Sequence, residues 1–135
     1  MKLMKRIVVL LSLVALVGCA NNLSSVREAR QSAGVSMEFD KDIGSVKSSA
    51  LASMDGLNIN IVETYQNMSG FNVLFTKSMS AWSHGEVGRV LIYENKGTTT
   101  VSVHAKKRSP IQITGTDEQG FASAIFEGIK RLVNE

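Results

Sequence analysis

Few side chains here have ready covalent or acid–base chemistry: one cysteine, Cys19, and two histidines, His84 and His104. Nucleophilic catalysis needs a nucleophile beside a base that a third group orients. Ser83 and His84 are neighbours in sequence, which does not make a triad, and there is no G-x-S-x-G elbow. His104 falls on an alternating stretch among Thr100 and Ser102 and is expected to face solvent. One cysteine and two distant histidines do not form a ligand-spaced metal set. No EF-hand loop or phosphate-cradling glycine loop appears. The chain therefore reads as a non-enzyme, with no catalytic residue, no metal and no cofactor.

The spacing that does carry information lies around Cys19. Lys2, Lys5 and Arg6 form a positive start, and an apolar run follows from Ile7 to Gly18, broken by Ser12. A spanning helix needs about 20 apolar residues, so this run is too short to cross comfortably. A basic start, a short apolar core and a small closing residue mark an export signal. Leu16-Val17-Gly18-Cys19 then matches, position by position, an aliphatic residue, a variable one, Gly or Ala, and Cys. This resembles the lipobox of bacterial lipoproteins. The resemblance implies cleavage after Gly18, a diacylglycerol on the sulfur of Cys19 and acylation of the new amine. Residues 1–18 would then be the lipoprotein signal peptide. A lone cysteine cannot form an internal disulfide in an exported chain, and acylation removes the free thiol. One acyl chain binds a bilayer only marginally, at about 0.8 kcal/mol per buried methylene, but two or three on one residue hold it for long. Ala20, where an Asp would favour the inner membrane, resembles the pattern of lipoproteins sent to the outer membrane. The implied location is the bacterial envelope, facing the periplasm. Acyl chains on Cys19 are the sole non-protein group expected.

Fifteen basic and 12 acidic residues give a formal charge of +3. Lys2, Lys5 and Arg6 all lie before Cys19, so the part after cleavage has 12 of each and no net charge. A nucleic-acid partner needs a basic footprint in the working domain, and a balanced charge there weakens that reading. The 117 residues after cleavage suit one domain.

Residues 19–34 read as a lipidated cysteine and flexible tether: polar, with a short helix over 26–33 at most, capped by Ser24 or Ser25. From Val35 to Glu135 the pattern is that of one folded domain. Val35, Met37 and Phe39 alternate with polar residues, which predicts a strand. Asp40 or Asp42 can cap a helix over 42–54, with Ile43, Val46, Ala50, Leu51 and Met54 on one face and Gly56 ending it in the left-handed conformation. Strands are predicted over 57–61, 71–76, 87–93 and 98–107, with turns at 67–70 and 94–97. Ser109-Pro110 breaks the last of these, and 111–114 is a short extended piece. Thr116 and Gln119 form a capping box for a closing helix over 117–134, whose apolar face is Phe121, Ile125, Ile129, Leu132 and Val133.

This order predicts an α+β two-layer sandwich, an antiparallel sheet of four to five strands with two helices on one face. The opposite face would present Asn58, Asn60, Asn72, Thr76, Thr100, Ser102 and His104 to a partner. The lipobox with a strand-helix-strands-helix domain is also similar to small bacterial lipoproteins of unknown function. Element order is loosely similar to helix-grip modules of a lipoprotein in the outer-membrane barrel-assembly machinery. Two contact surfaces stand out. Trp82 lies in the loop 77–86, and exposed tryptophan is enriched at interfaces. Lys106, Lys107 and Arg108 form a basic cluster suited to anionic lipid or an acidic partner, at about 1 kcal/mol per charge near a surface. The expected function is a membrane-anchored, non-catalytic binding or envelope-assembly module with an envelope protein as partner. The alternative is a carrier holding a lipid or small apolar ligand between sheet and helices.

Overall fold

The structure is a computed structural model that describes residues 22–77, 85–108 and 116–134. Cys19, Gly18, Trp82, His84 and the extended piece 111–114 lie outside the described residues. The elements run α1 (Leu23–Arg27), β1 (Val35–Phe39), α2 (Ile43–Gly56), β2 (Asn60–Asn67), β3 (Gly70–Lys77), β4 (Glu86–Asn95), β5 (Thr98–Lys107) and α3 (Glu118–Val133). The fold is α+β. Five antiparallel strands are ordered β1-β5-β4-β3-β2. No helix among the described residues is long and apolar enough to cross a membrane.

Period-two alternation sets which residues share a face. Val73, Phe75, Val90, Ile92, Val101 and Val103 lie on one face and are wholly buried with Val46, Ala50 and Met54 of α2 and Ile125 and Ile129 of α3. Both long helices therefore cover this face, as the sequence predicted. Fully burying an aliphatic side chain contributes about 1.5–3 kcal/mol, so this layer is the main source of stability. Where α2 and α3 meet, Gly128 faces Ser53 so closely that a Cβ would overlap its Oγ. The Ser53 hydroxyl donates to the Ile125 carbonyl at 3.2 Å.

The caps differ in detail from expectation. Asp42 caps α2, accepting from the Ser45 amide at 2.9 Å and the Ser45 hydroxyl at 2.7 Å. These hydrogen bonds, the hydroxyl's first, hold the Asp42 carboxyl below the usual carboxylate range. Gly56 remains helical, and it is Asn58 (φ 55°) that takes the left-handed conformation. β2 consequently begins at Asn60, because Leu57 to Ile59 are used in leaving the helix. Asp117, not Thr116, caps α3, accepting from the Gly120 amide at 2.8 Å. α1 is capped by Asn22, not Ser24 or Ser25, and ends at Arg27, earlier than the short helix predicted over 26–33.

The edge strand β2 carries a bulge. Ile61 pairs with Phe75 and Glu63 with Leu74, so Val62 is the extra residue, and it is exposed. Past the bulge the alternation is inverted, which sends Glu63 and Tyr65 to the face away from the long helices.

Gly88 sits against the wholly buried ring of Phe75. Gly88→Ala should lower stability by about 1–3 kcal/mol through overpacking. Gly56→Ala, with nothing within 4 Å of its added Cβ, should be neutral or slightly stabilising. Urea midpoints of the two variants check this.

Candidate functional site

The face away from the long helices was expected to be open. It is covered. Residues 22–34 cross it as a strap, with Val26 wholly buried against Leu74 and Val87, and Leu23 and Tyr65 beside them. The flexible tether predicted over 19–34 is thus, from Asn22 onward, part of the packed domain. Asn72, Thr100 and Ser102, expected to face a partner, are no more than 4% exposed. The Ser102 hydroxyl donates to the Ala33 carbonyl at 3.1 Å. Asn58 and Asn60 do remain exposed.

Arg89 organises this layer. It is 3% exposed, in the middle of β4 between the apolar neighbours Val87 and Leu91 of the same face. Its Nη1 donates to the Ala29 carbonyl at 2.6 Å and, more weakly, to the Arg27 carbonyl at 3.5 Å. Its Nη2 donates to the Arg30 carbonyl at 2.8 Å. These carbonyls lie at and just past the end of α1, where a cation is favoured. Burial pushes the Arg89 guanidinium down from its ordinary value, against the influence of nearby Tyr65. Arginine nonetheless stays protonated in proteins, so its charge is shared among the three carbonyls. The fork resembles a clamp on the strap rather than a ligand site, because both Nη groups are turned to the chain's own backbone, while Nε is buried without a partner among the described residues.

Other groups fasten the strap. Arg27 forms a two-pronged ion pair with Glu63 and lies over the Tyr65 ring at 5.4 Å. The pairing holds the Glu63 carboxyl below and the Arg27 guanidinium above their ordinary values. Both side chains are more than 40% exposed, so the pair adds little. Gln31 Nε2 donates to the Ser69 carbonyl at 3.0 Å, fixing the far end of the strap to the β2–β3 turn. Gly34 (φ 95°) then turns the chain into β1, and a Cβ there would overlap the Val103 carbonyl.

The remaining titratable candidates also face the protein. His104 is half-buried, not free in solvent, with Nδ1 2.8 Å from Glu118 Oε2. The same oxygen accepts from the Ala105 amide at 3.0 Å. This is the part of β5 that β1 does not reach, since β1 pairs only as far as Val103. Glu86, 3% exposed, accepts from the Thr116 amide at 3.2 Å. Lys77 Nζ donates to the Leu57 carbonyl at 2.7 Å, at the end of α2. Among the described residues, no three acidic, histidine or cysteine side chains are grouped to hold a metal ion.

Of the predicted contact residues, Lys106 and Lys107 are half-buried at the end of β5, and Arg108 beyond it is exposed. They lie at the sheet end where β3 finishes and β4 starts, since Lys77 and Lys107 both pair with Glu86. The opposite end holds the β2–β3 and β4–β5 turns. There Met68 is wholly exposed, and clefts of about 370 and 350 Å³ adjoin at Glu94. Sequence reasoning missed Arg89 and Met68. The signal for Arg89 was a lone charge inside the apolar run 87–92.

Compared with models of known protein families and with curated proteins, the chain matches none.

Removing the fork should free the strap before it unfolds the sheet. Arg89→Leu leaves the Ala29 and Arg30 carbonyls unpaired and should cost about 1–3 kcal/mol. Limited trypsin digestion should then cut faster after Arg27 and Arg30. Unchanged cleavage there would show that the apolar contacts of Val26 suffice.

Proposed function

We propose that this chain is a lipid-anchored, periplasm-facing binding or envelope-assembly module without catalytic chemistry of its own. The lipobox-like Leu16-Val17-Gly18-Cys19 supplies the anchor. The observation that carries the non-catalytic reading is the direction of the buried charged groups. Arg89 is turned onto backbone carbonyls and Glu86 onto a backbone amide, so neither is poised toward a substrate.

The filled space beneath the long helices favours a binding module over a carrier. A carrier needs an apolar cavity of several hundred Å³, roughly 300 or more. Val46, Met54, Val73, Phe75, Ile125 and Ile129 line that space and have no surface that water could touch.

The turn end of the sheet supplies a surface for a protein partner. Met68 projects there beside clefts lined by Gln31, Ile43, Tyr93 and Glu94, and methionine adapts its shape to an apolar contact.

Two measurements test the reading. Intact mass of the native protein should show a chain that starts at Cys19 and carries acyl groups, and Cys19→Ser should abolish both cleavage and acylation. A full-length, unmodified chain would remove the anchor. A photo-cross-linker placed at Met68 in the intact envelope should give a discrete adduct that the same group at Ser48, exposed on α2, does not. Equal labelling from both positions would argue against a contact at the turn end.

A further inference from the structure

If Cys19 is the anchor, as proposed above, the structure also decides which part of the domain meets the bilayer. The reason is the length of chain left free. The Asn22 side chain accepts from the Ser25 amide at 3.3 Å, and the Asn22 carbonyl accepts from the Ser25 hydroxyl at 2.7 Å. α1, which Asn22 caps, is docked through Val26. The domain is therefore held from Asn22 onward, and Ala20 and Asn21 are all that separate it from Cys19. Three residue steps span at most about 10 Å when fully extended. That is shorter than the sheet is long, so the anchor point must lie close to wherever Asn22 sits.

Asn22 sits at the strand end that carries the basic cluster. Asn22, Leu23 and Ser24 share a cleft of about 330 Å³ with Val87 and Arg108. Val87 is paired with Lys106, on the same face, and the Arg108 amide donates to the Gly85 carbonyl at 3.1 Å. The acidic groups near these strand ends are themselves engaged: Glu86, between Lys77 and Lys107, accepts from the Thr116 amide, Asp117 from the Gly120 amide, and Glu118 contacts His104 and the Ala105 amide. The strap then runs away from this end, across the sheet, to Gln31 at the β2–β3 turn.

We propose that the anchored domain stands on the bilayer by the end of the sheet where β4 begins and β5 finishes, with Lys106 and Arg108 against anionic head groups. The short leash fixes which end is down, and the two charges hold that end in contact. Attraction of this kind needs a negative surface within about a Debye length, roughly 8–10 Å, and a leash of similar length brings this end into that range. The turn end with Met68 then projects away from the membrane.

β2 offers a ruler for the test. Asn60 lies at its start, beside the basic end, and Met68 just past its other end, roughly 25 Å away at about 3.3 Å per residue. The full-length lipidated protein, carrying Asn60→Cys or Met68→Cys labelled with a fluorophore, is placed in vesicles that contain a head-group quencher. The vesicles are either phosphatidylcholine alone or phosphatidylcholine with phosphatidylglycerol. Intact mass, measured first, establishes that the anchor is present, so loss of the anchor cannot be mistaken for a wrong orientation. The label at 60 should be quenched and the label at 68 should not. Phosphatidylglycerol should raise quenching at 60 at least about twofold, and Lys106→Gln with Arg108→Gln should remove that gain. Equal quenching at both positions, or stronger quenching at 68, overturns the orientation. Quenching at 60 that ignores both phosphatidylglycerol and the double substitution overturns the role of the two charges.

Discussion

A sheet has two sides, and each must be shielded or made polar. Here one side is shielded by the long helices, while the other depends on a dozen residues with little apolar surface. What makes that cover hold is the guanidinium of Arg89. Left without partners, a charge in that position would be costly. Supplied with the carbonyls of Ala29 and Arg30, its two Nη groups are paired, only Nε staying buried without a partner among the described residues, and the strap's own acceptors are paired as well. Lysine could not reproduce this, because its point charge lacks the planar fork that reaches adjacent carbonyls together. Val26, the Arg27–Glu63 pair and the Gln31 contact all assume a strap already held at its middle. Residues 22–34 are thus part of the core's logic, and a version of the domain cut at Val35 would expose Leu74, Val87 and a buried charge at once.

The strands and both long helices were legible because their signals are local. Thr98 to Lys107 alternates cleanly, Asn95 to Thr98 is a hairpin turn, and Phe121, Ile125 and Ile129 repeat at helical spacing. The strap was not legible, because its attachment is made by backbone carbonyls, which every sequence has. Its partner was visible only as a charge in the wrong place, inside the apolar run of β4. The same blindness made the second face look like a partner surface. Ser102 meets the covering backbone at Ala33, Asn72 turns to the β2–β3 turn at Asn67 and Gly70, and the Thr100 hydroxyl is buried without a partner among the described residues. The start of β2 was misplaced for a related reason: alternation from Leu57 to Ile61 looks like a strand, but α2 needs Leu57 and Asn58 to close its last turn.

The two ends of the sheet differ in chemistry. Strand ends on one side gather Lys77, Lys106, Lys107 and Arg108, with Glu86 enclosed among them. Turns on the other side gather Asp40, Asp42 and Glu94 around Lys41 and leave Met68 uncovered. A chain of balanced charge therefore still has a direction, and the antiparallel order of the strands creates it by returning separate segments to the same end.

The irregularity in β2 has its own consequence. A straight outer strand offers its spare amides and carbonyls as a template on which another chain could lengthen the sheet. Val62, by adding one residue on one side only, breaks the register such an addition would need. At the β2 border, though not at the regular β1 border, copies of this fold thus meet a kink where stacking into ribbons cannot readily start.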